Sequence, residues 1–154
     1  MVGLDTAELI NLIFVALLVG NDVAVWSVVH PALDTIPVEH GFLAERAMLL
    51  RYKVQVPFLI LFILASGIAV AWQDELWSRS FWLSVTGCVC IFLWQVVVIS
   101  LYPINIKVME AKPEDVPAEA DWRSMRRTWY QRHTIRTVLS IAALVVFLLA
   151  ALKL

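Results

Sequence analysis

The sequence is poor in charge. Only 16% of its 154 residues are charged, 61% are hydrophobic, and the formal net charge is −1. A nucleic-acid-binding surface needs a basic excess, so that class of partner is excluded. Cysteine is scarce as well: Cys88 and Cys90 are the only two. On a helix, side chains two residues apart point about 200° away from each other, so these two neither pair nor chelate one ion. They read as small apolar packing residues and say nothing about redox compartment. Lys and Arg are missing ahead of the first apolar block, where Asp5 and Glu8 stand instead. No small-residue cleavage site follows, so the segment is expected to be a helix of the mature protein rather than a signal peptide. Neither C-x-x-C-H nor H-E-x-x-H occurs, which removes the motifs for c-type haem attachment and zinc-dependent hydrolysis. There is no internal repeat.

What is present is apolar sequence in four blocks, with a mean hydropathy of +0.80. About 20 apolar residues suffice to cross the hydrocarbon of a bilayer as a helix. The spacing predicts an all-α, four-transmembrane-helix bundle forming a single integral membrane domain over residues 1–154, with spans at about 9–29, 54–72, 81–102 and 134–152. Span one opens on Asp5 as N-cap with Glu8 three residues on, and is expected to stop at His30-Pro31. Span two is expected to begin as a helix near Phe42 and to kink at Pro57. The short connection Gln73–Ser80 makes spans two and three a hairpin, and Pro103 is expected to end span three. The linker Lys112–Asp121 reads as an exposed loop, and the fourth helix starts near Asp121. Helices two and four thus extend beyond the bilayer on one side.

The first and third loops with their flanks hold ten of the twelve Lys and Arg residues. The positive-inside rule places these loops in the cytoplasm and both termini outside, in a plasma or inner membrane. All the conspicuous polar groups then share the inner end: His30, Glu45, Arg46, Asn105 and the row beginning at Trp122.

That row is the strongest pointer to a site. Trp122, Arg126, Trp129, His133 and Arg136 are spaced four, three, four and three residues apart. A helix puts them on one stripe, which runs on through Ser140 into the fourth span. Asp22 lies deeper, roughly 10 Å inside the hydrocarbon at 1.5 Å per residue. An ionisable residue there must face the bundle interior, protonated or paired, and Arg136 and Arg51 are its candidate partners. Asp22, Trp26 and His30 fall on one broad face spread over about 80°. Each residue also has a plainer reading. Trp122 and Trp129 suit an interfacial belt, His30 suits a helix C-cap, Glu45 and Arg46 suit first-turn polarity, and Gln95 suits an interhelical hydrogen bond. Arg123, Arg127 and Arg132 lie off the stripe and are expected to face water or headgroups.

The segment W-R-S-M-R-R-T-W-Y-Q-R-H-T-I-R-T at residues 122–137, Asn105 ahead of it, and His30-Pro31-Ala32-Leu33 resemble the anthrone-oxygenase-like family of small four-helix membrane proteins. The comparable elements fall on His30, Asn105, Trp122, Arg126, Trp129, His133 and Arg136. The resemblance implies an oxygenase-like activity on a lipophilic aromatic or phenolic, anthrone-like small molecule in an inner-side pocket. His133 or Asp22 would then serve as base, Arg126 and Arg136 would stabilise an oxyanion, and Trp122, Trp129, Asn105 and Glu45 would hold the substrate.

That reading requires no cofactor. A second is a metal or haem redox protein with His30 and His133 as ligands, for which haem b, copper and non-haem iron all suit the donor types. A third is a non-catalytic accessory subunit. The partners expected are the lipid bilayer, a lipophilic small molecule, and either further copies of the chain or a membrane partner subunit.

Overall fold

The computed structural model describes residues 4–112 and 114–153. Its first helix begins where the sequence places it. Asp5 Oδ1 accepts from the Glu8 N–H at 2.8 Å, and Glu8 Oε2 accepts from the Asp5 N–H at 2.8 Å. This reciprocal cap satisfies two of the orphan donors of the first turn. The helix, α1, covers Thr6–Leu33. It does not stop at His30-Pro31 as the sequence suggests. Residues Val25–Val29 form a π turn, and a last α turn, His30–Leu33, carries the proline in its opening positions. There the His30 N–H reaches back five residues to the Val25 carbonyl. A proline disfavours helix before it by crowding the preceding turn and removing a donor, and the wider turn relieves that crowding.

The second helix, α2, spans Val38–Gln73 and runs unbroken through Pro57. It starts one residue after Pro37, four earlier than Phe42. The hairpin turn that follows holds Trp77 at a φ of 68°. Ser78 Oγ then accepts from the Phe81 N–H at 3.1 Å and caps α3, Arg79–Ser100. Pro103 does not simply terminate this span. It sits in the first turn of a separate short helix, α4, Tyr102–Glu110, where a missing N–H removes no intrahelical bond. The last helix, α5, spans Glu119–Ala151. Of the linker before it, Pro113 lies outside the described residues.

The four long helices α1, α2, α3 and α5 are each long and apolar enough to cross a membrane. Neighbouring pairs pack in the cyclic order α1, α2, α3, α5, and α5 closes the ring onto α1. Their outward faces carry exposed Leu17, Phe58, Leu61, Phe92 and Val138. In water such a surface would be a liability; against lipid tails it is the expected one. The chain is therefore an integral membrane protein with a four-helix bundle fold.

Mid-bundle, Val15, Leu18, Ile60, Ile63, Ile91, Trp94, Ala143 and Phe147 form the core. Gly67 and Gly87 let α2 and α3 approach Phe147: a Cβ built on Gly87 would lie 2.6 Å from its ring. Both free cysteines pack against the edge of this core, as small apolar residues do. A second cluster, Phe42, Leu101, Val108, Trp122 and Trp129, sits at the end carrying the first and third loops. There α2 and α5, of 36 and 33 residues, exceed the length needed for the hydrocarbon. With α4 they extend the bundle beyond the lipid and give the site its depth.

Candidate functional site

Burial along α5 recurs at Trp122, Arg126, Trp129, His133, Thr137 and Ser140. The stripe read from the sequence therefore faces inward, guanidinium and imidazole included. Burying such groups is unfavourable unless each finds a partner, and the neighbouring helices supply them.

Arg126 is the hub. Its Nε and Nη2 lie 3.0 Å from Asp34 Oδ1, its Nη1 donates to Glu45 Oε2 at 3.1 Å, and its Nη2 donates to the His30 carbonyl at 2.6 Å. Nη1 also lies 2.8 Å from His30 Nδ1. A guanidinium only donates, so His30 Nδ1 is an acceptor and the neutral ring carries its proton on Nε2. That nitrogen is 3.4 Å from His133 Nδ1, which must then accept. His133 in turn carries its proton on Nε2 and donates to the Asp22 carbonyl at 3.0 Å. One arginine thus fixes the tautomer of two histidines in series. The edge-on packing of the two rings, at 82°, fits this head-to-side arrangement.

The π turn makes that meeting possible. Its residues rotate less than the 100° per residue of an α-helix, so His30 lags back toward the face of Asp22 and reaches α5. The Asp22 carbonyl shares the Val25 N–H with the Asn21 carbonyl and accepts from His133 with its second lone pair. Trp26, read from the sequence as sharing that face, instead donates to Thr134 Oγ1 at 2.9 Å and stacks beside Tyr130.

Asp22 is fully buried, and Arg136, not Arg51, is its ionic partner. Arg136 Nη2 lies 3.5 Å from Asp22 Oδ1, while Arg51 is exposed. Trp94, a residue the sequence did not single out, donates to Asp22 Oδ2 at 2.6 Å and lies under the Arg136 guanidinium at 5.4 Å. Among the described residues, Asp22 Oδ1 and Arg136 Nε are buried and have no hydrogen-bond partner.

Beside this network lies a cavity of about 320 Å³ between all five helices, at the lower end of the range for small-molecule sites. Its polar wall includes His30, Glu45, Tyr52, Asn105, His133 and Arg136, with Asn21 and Lys53 beside them. The rest is largely apolar, including Met48, Leu49, Val98, Ile99 and Met109, with Trp129 as an aromatic face. Gln95 also lines it. Trp129 is held in place by donating Nε1 to Asn105 Oδ1 at 2.8 Å.

The structure therefore divides the residues read from sequence. His30, Glu45, Asn105, Trp129, His133 and Arg136 line the cavity. Asp22, Arg126 and Trp122 stand behind the wall. Trp122 packs edge-on against Phe42 and Trp129, each at 5.9 Å, with Arg126 above its ring. It braces other residues and has no face on the cavity. Of the arginines off the stripe, Arg127 is exposed and Arg123 pairs with Glu119. Arg132 is not simply solvated, because it donates to the Ser100 carbonyl at 2.8 Å. Arg46, read as first-turn polarity, donates to the Ala111 carbonyl at 2.9 Å and ties the end of α4 to α2. Tyr52 and Asp34 join Trp94 as participants that sequence reasoning missed. Asp34 is exposed, and no local pattern singled out the other two.

For a metal, the donor set fits poorly. Each imidazole lone pair already receives a proton donor, and no group of three His, Cys, Asp or Glu side chains converges among the described residues.

The profile of a protein family described as anthrone oxygenase matches residues 46–146. No curated protein and no solved structure matches the chain. The matched stretch runs from α2 through the whole stripe on α5 and takes in Asn105, Trp129, His133 and Arg136, while α1 with Asp22 and His30 lies ahead of it. Since that stretch covers well over half of the sequence, the chain belongs to the anthrone oxygenase family.

Proposed function

We propose that the protein is a membrane-embedded oxygenase that inserts one atom of dioxygen into a flat, lipophilic aromatic ketone of the anthrone type. The observation that carries this reading is the cavity wall at Arg136. A largely buried guanidinium lines a mostly apolar chamber, and its Nε has no hydrogen-bond partner among the described residues. A cation so placed stabilises negative charge that develops on a bound oxygen, and it does so best where water is excluded. Trp129 offers a face for ring stacking, and the apolar lining suits both the substrate and dioxygen. The reaction converts a ring methylene to a carbonyl: the substrate takes one oxygen atom, and the other leaves as water with the two methylene hydrogens. His30, His133 and Arg126 fix the wall against which the ring lies, and Asp22 with Trp94 holds Arg136. The loops at this end, rich in Lys and Arg, are assigned to the cytoplasmic side on the positive-inside rule.

The test is turnover by purified protein in lipid nanodiscs. Anthrone is supplied in air, and anthraquinone formation is followed by absorbance alongside oxygen uptake. The wild type is expected to exceed a protein-free nanodisc blank. Arg136→Gln should lower the rate by about 10²–10³, the usual effect of losing an oxyanion donor. Chelator-treated protein without a Soret band should keep its rate. A wild type no faster than the blank overturns the proposal and leaves the accessory-subunit reading; activity lost on chelation transfers it to a metal centre.

A further inference from the structure

Removing a proton from a ring methylene needs a base, and the base must present a free lone pair to the cavity. Few groups on this wall do. The His30 lone pair accepts from Arg126, and the His133 lone pair accepts from His30. The Tyr52 hydroxyl is a donor to Asn21 Oδ1, at 3.2 Å. Lys53 is a cation with no acceptor. Asp22 stands behind the wall, with its carboxylate turned to Trp94 and Arg136. Glu45 differs from all of these. It lines the cavity, is 6% exposed, and is anchored through Oε2 alone by Arg126. Its Oε1 has no protein partner among the described residues.

We infer that Glu45 is the general base of the oxygenation, with Oε1 as the atom that takes the proton; this rests on the oxygenase reading above. Burial pushes the Glu45 carboxyl up to about 7, and Arg126 opposes that shift, so the base is poised near neutrality. Arg126 also aims the carboxylate, as the third member of a triad holds its base. In the first step a methylene C–H bond breaks. Its proton goes to Glu45 Oε1, and its electron pair spreads into the ring system and onto the ketone oxygen, which faces Arg136. The carbanion carbon then bonds to dioxygen. Carbon is oxidised, dioxygen is reduced to a bound peroxide, and the peroxide takes the proton back from Glu45. Finally Glu45 removes the second methylene proton, the C–H pair forms the new carbonyl, and the O–O bond breaks. The departing hydroxide takes that proton and leaves as water. Glu45 ends as it began, and dioxygen is the only oxidant.

The first step needs no oxygen, so it can be read by itself. Anthrone is incubated anaerobically in D₂O with protein in nanodiscs, and methylene deuteration is followed by NMR above a protein-free blank. Anthraquinone binding is measured in parallel by tryptophan quenching. Wild type should accelerate exchange. Glu45→Gln, which keeps an oxygen for Arg126, should lose about 10²–10⁴ of that acceleration, the usual contribution of a general base, and still bind anthraquinone. Glu45→Asp retains the charge but withdraws the carboxylate, and should lose at least about tenfold on the same grounds. It carries the test if the glutamine variant does not fold. Exchange at the wild-type rate in either folded variant overturns the assignment while leaving the oxygenase reading in place. A wild type that neither binds nor exchanges overturns that reading, and the assignment with it.

Discussion

Replacing Arg126 with methionine isolates what the hub contributes to stability. Methionine keeps much of the apolar stem that packs beside Trp122 and deletes the guanidinium. Four hydrogen bonds end with it: one to Asp34, one to Glu45, and two to His30. They are not equal. Asp34 is 59% exposed, so its partnership is worth about 0–1 kcal/mol. Glu45 is buried, and stripping the partner from one member of a buried pair typically costs about 3–5 kcal/mol. The His30 carbonyl and Nδ1 become unsatisfied acceptors, which falls within the same range rather than adding in full. Arg126→Met should therefore lose about 3–5 kcal/mol, and Asp34→Asn no more than about 1 kcal/mol. The double variant Arg126→Met with Glu45→Leu should recover the part of the loss due to the stranded carboxylate, because apolar residues often replace a buried pair at little net cost, while the two His30 acceptors stay unsatisfied. The assay is SDS-induced unfolding in mixed micelles, followed by tryptophan fluorescence. If the single variant loses less than about 1 kcal/mol, or the double variant is no better than the single, the assignment of Arg126 and Glu45 as a mutually dependent buried pair is wrong.

Two further perturbations probe the middle of the bundle. Gly87→Ala drives a methyl into the buried Phe147 ring, with the clash distance at 2.6 Å, and should cost about 1–3 kcal/mol as overpacking does; trimming the ring with Phe147→Leu should restore part of it in the same unfolding assay. Trp94→Phe removes the 2.6 Å hydrogen bond to Asp22 Oδ2 and should cost about 1–3 kcal/mol; loosening Arg136 should also weaken anthraquinone binding, which tryptophan quenching reads directly.

The four crossings, the capping box at Asp5 and the inward stripe on α5 were legible because each is encoded by contiguous residues. A 3.6-residue period, a capping pair three apart and a run of about 20 apolar residues are local facts. The stripe from Trp122 to Arg136 kept its phase because nothing interrupts α5. The end of α1 was not legible. A rule about the residue before proline has no means of anticipating a π turn that takes up the strain and carries the helix on to Leu33. For the same reason Pro103 was read as the end of a span, whereas it stands in the opening turn of α4.

Which groups meet was decided by tertiary structure alone. The sequence offered His133 or Asp22 as the base, His30 as a helix cap or a metal ligand, and Glu45 as a substrate contact or first-turn polarity. Only packing shows that one guanidinium fixes both ring tautomers, that Asp22 and Trp122 stand behind the wall, and that Glu45 is anchored by one oxygen. Those contacts join residues 72 to 111 positions apart. They depend on how far each helix is rotated and how deep it sits, and one extra residue in a turn changes both. Residue type and local period fix which face of a helix is polar; the rotation of four helices against one another fixes which lone pair is left free.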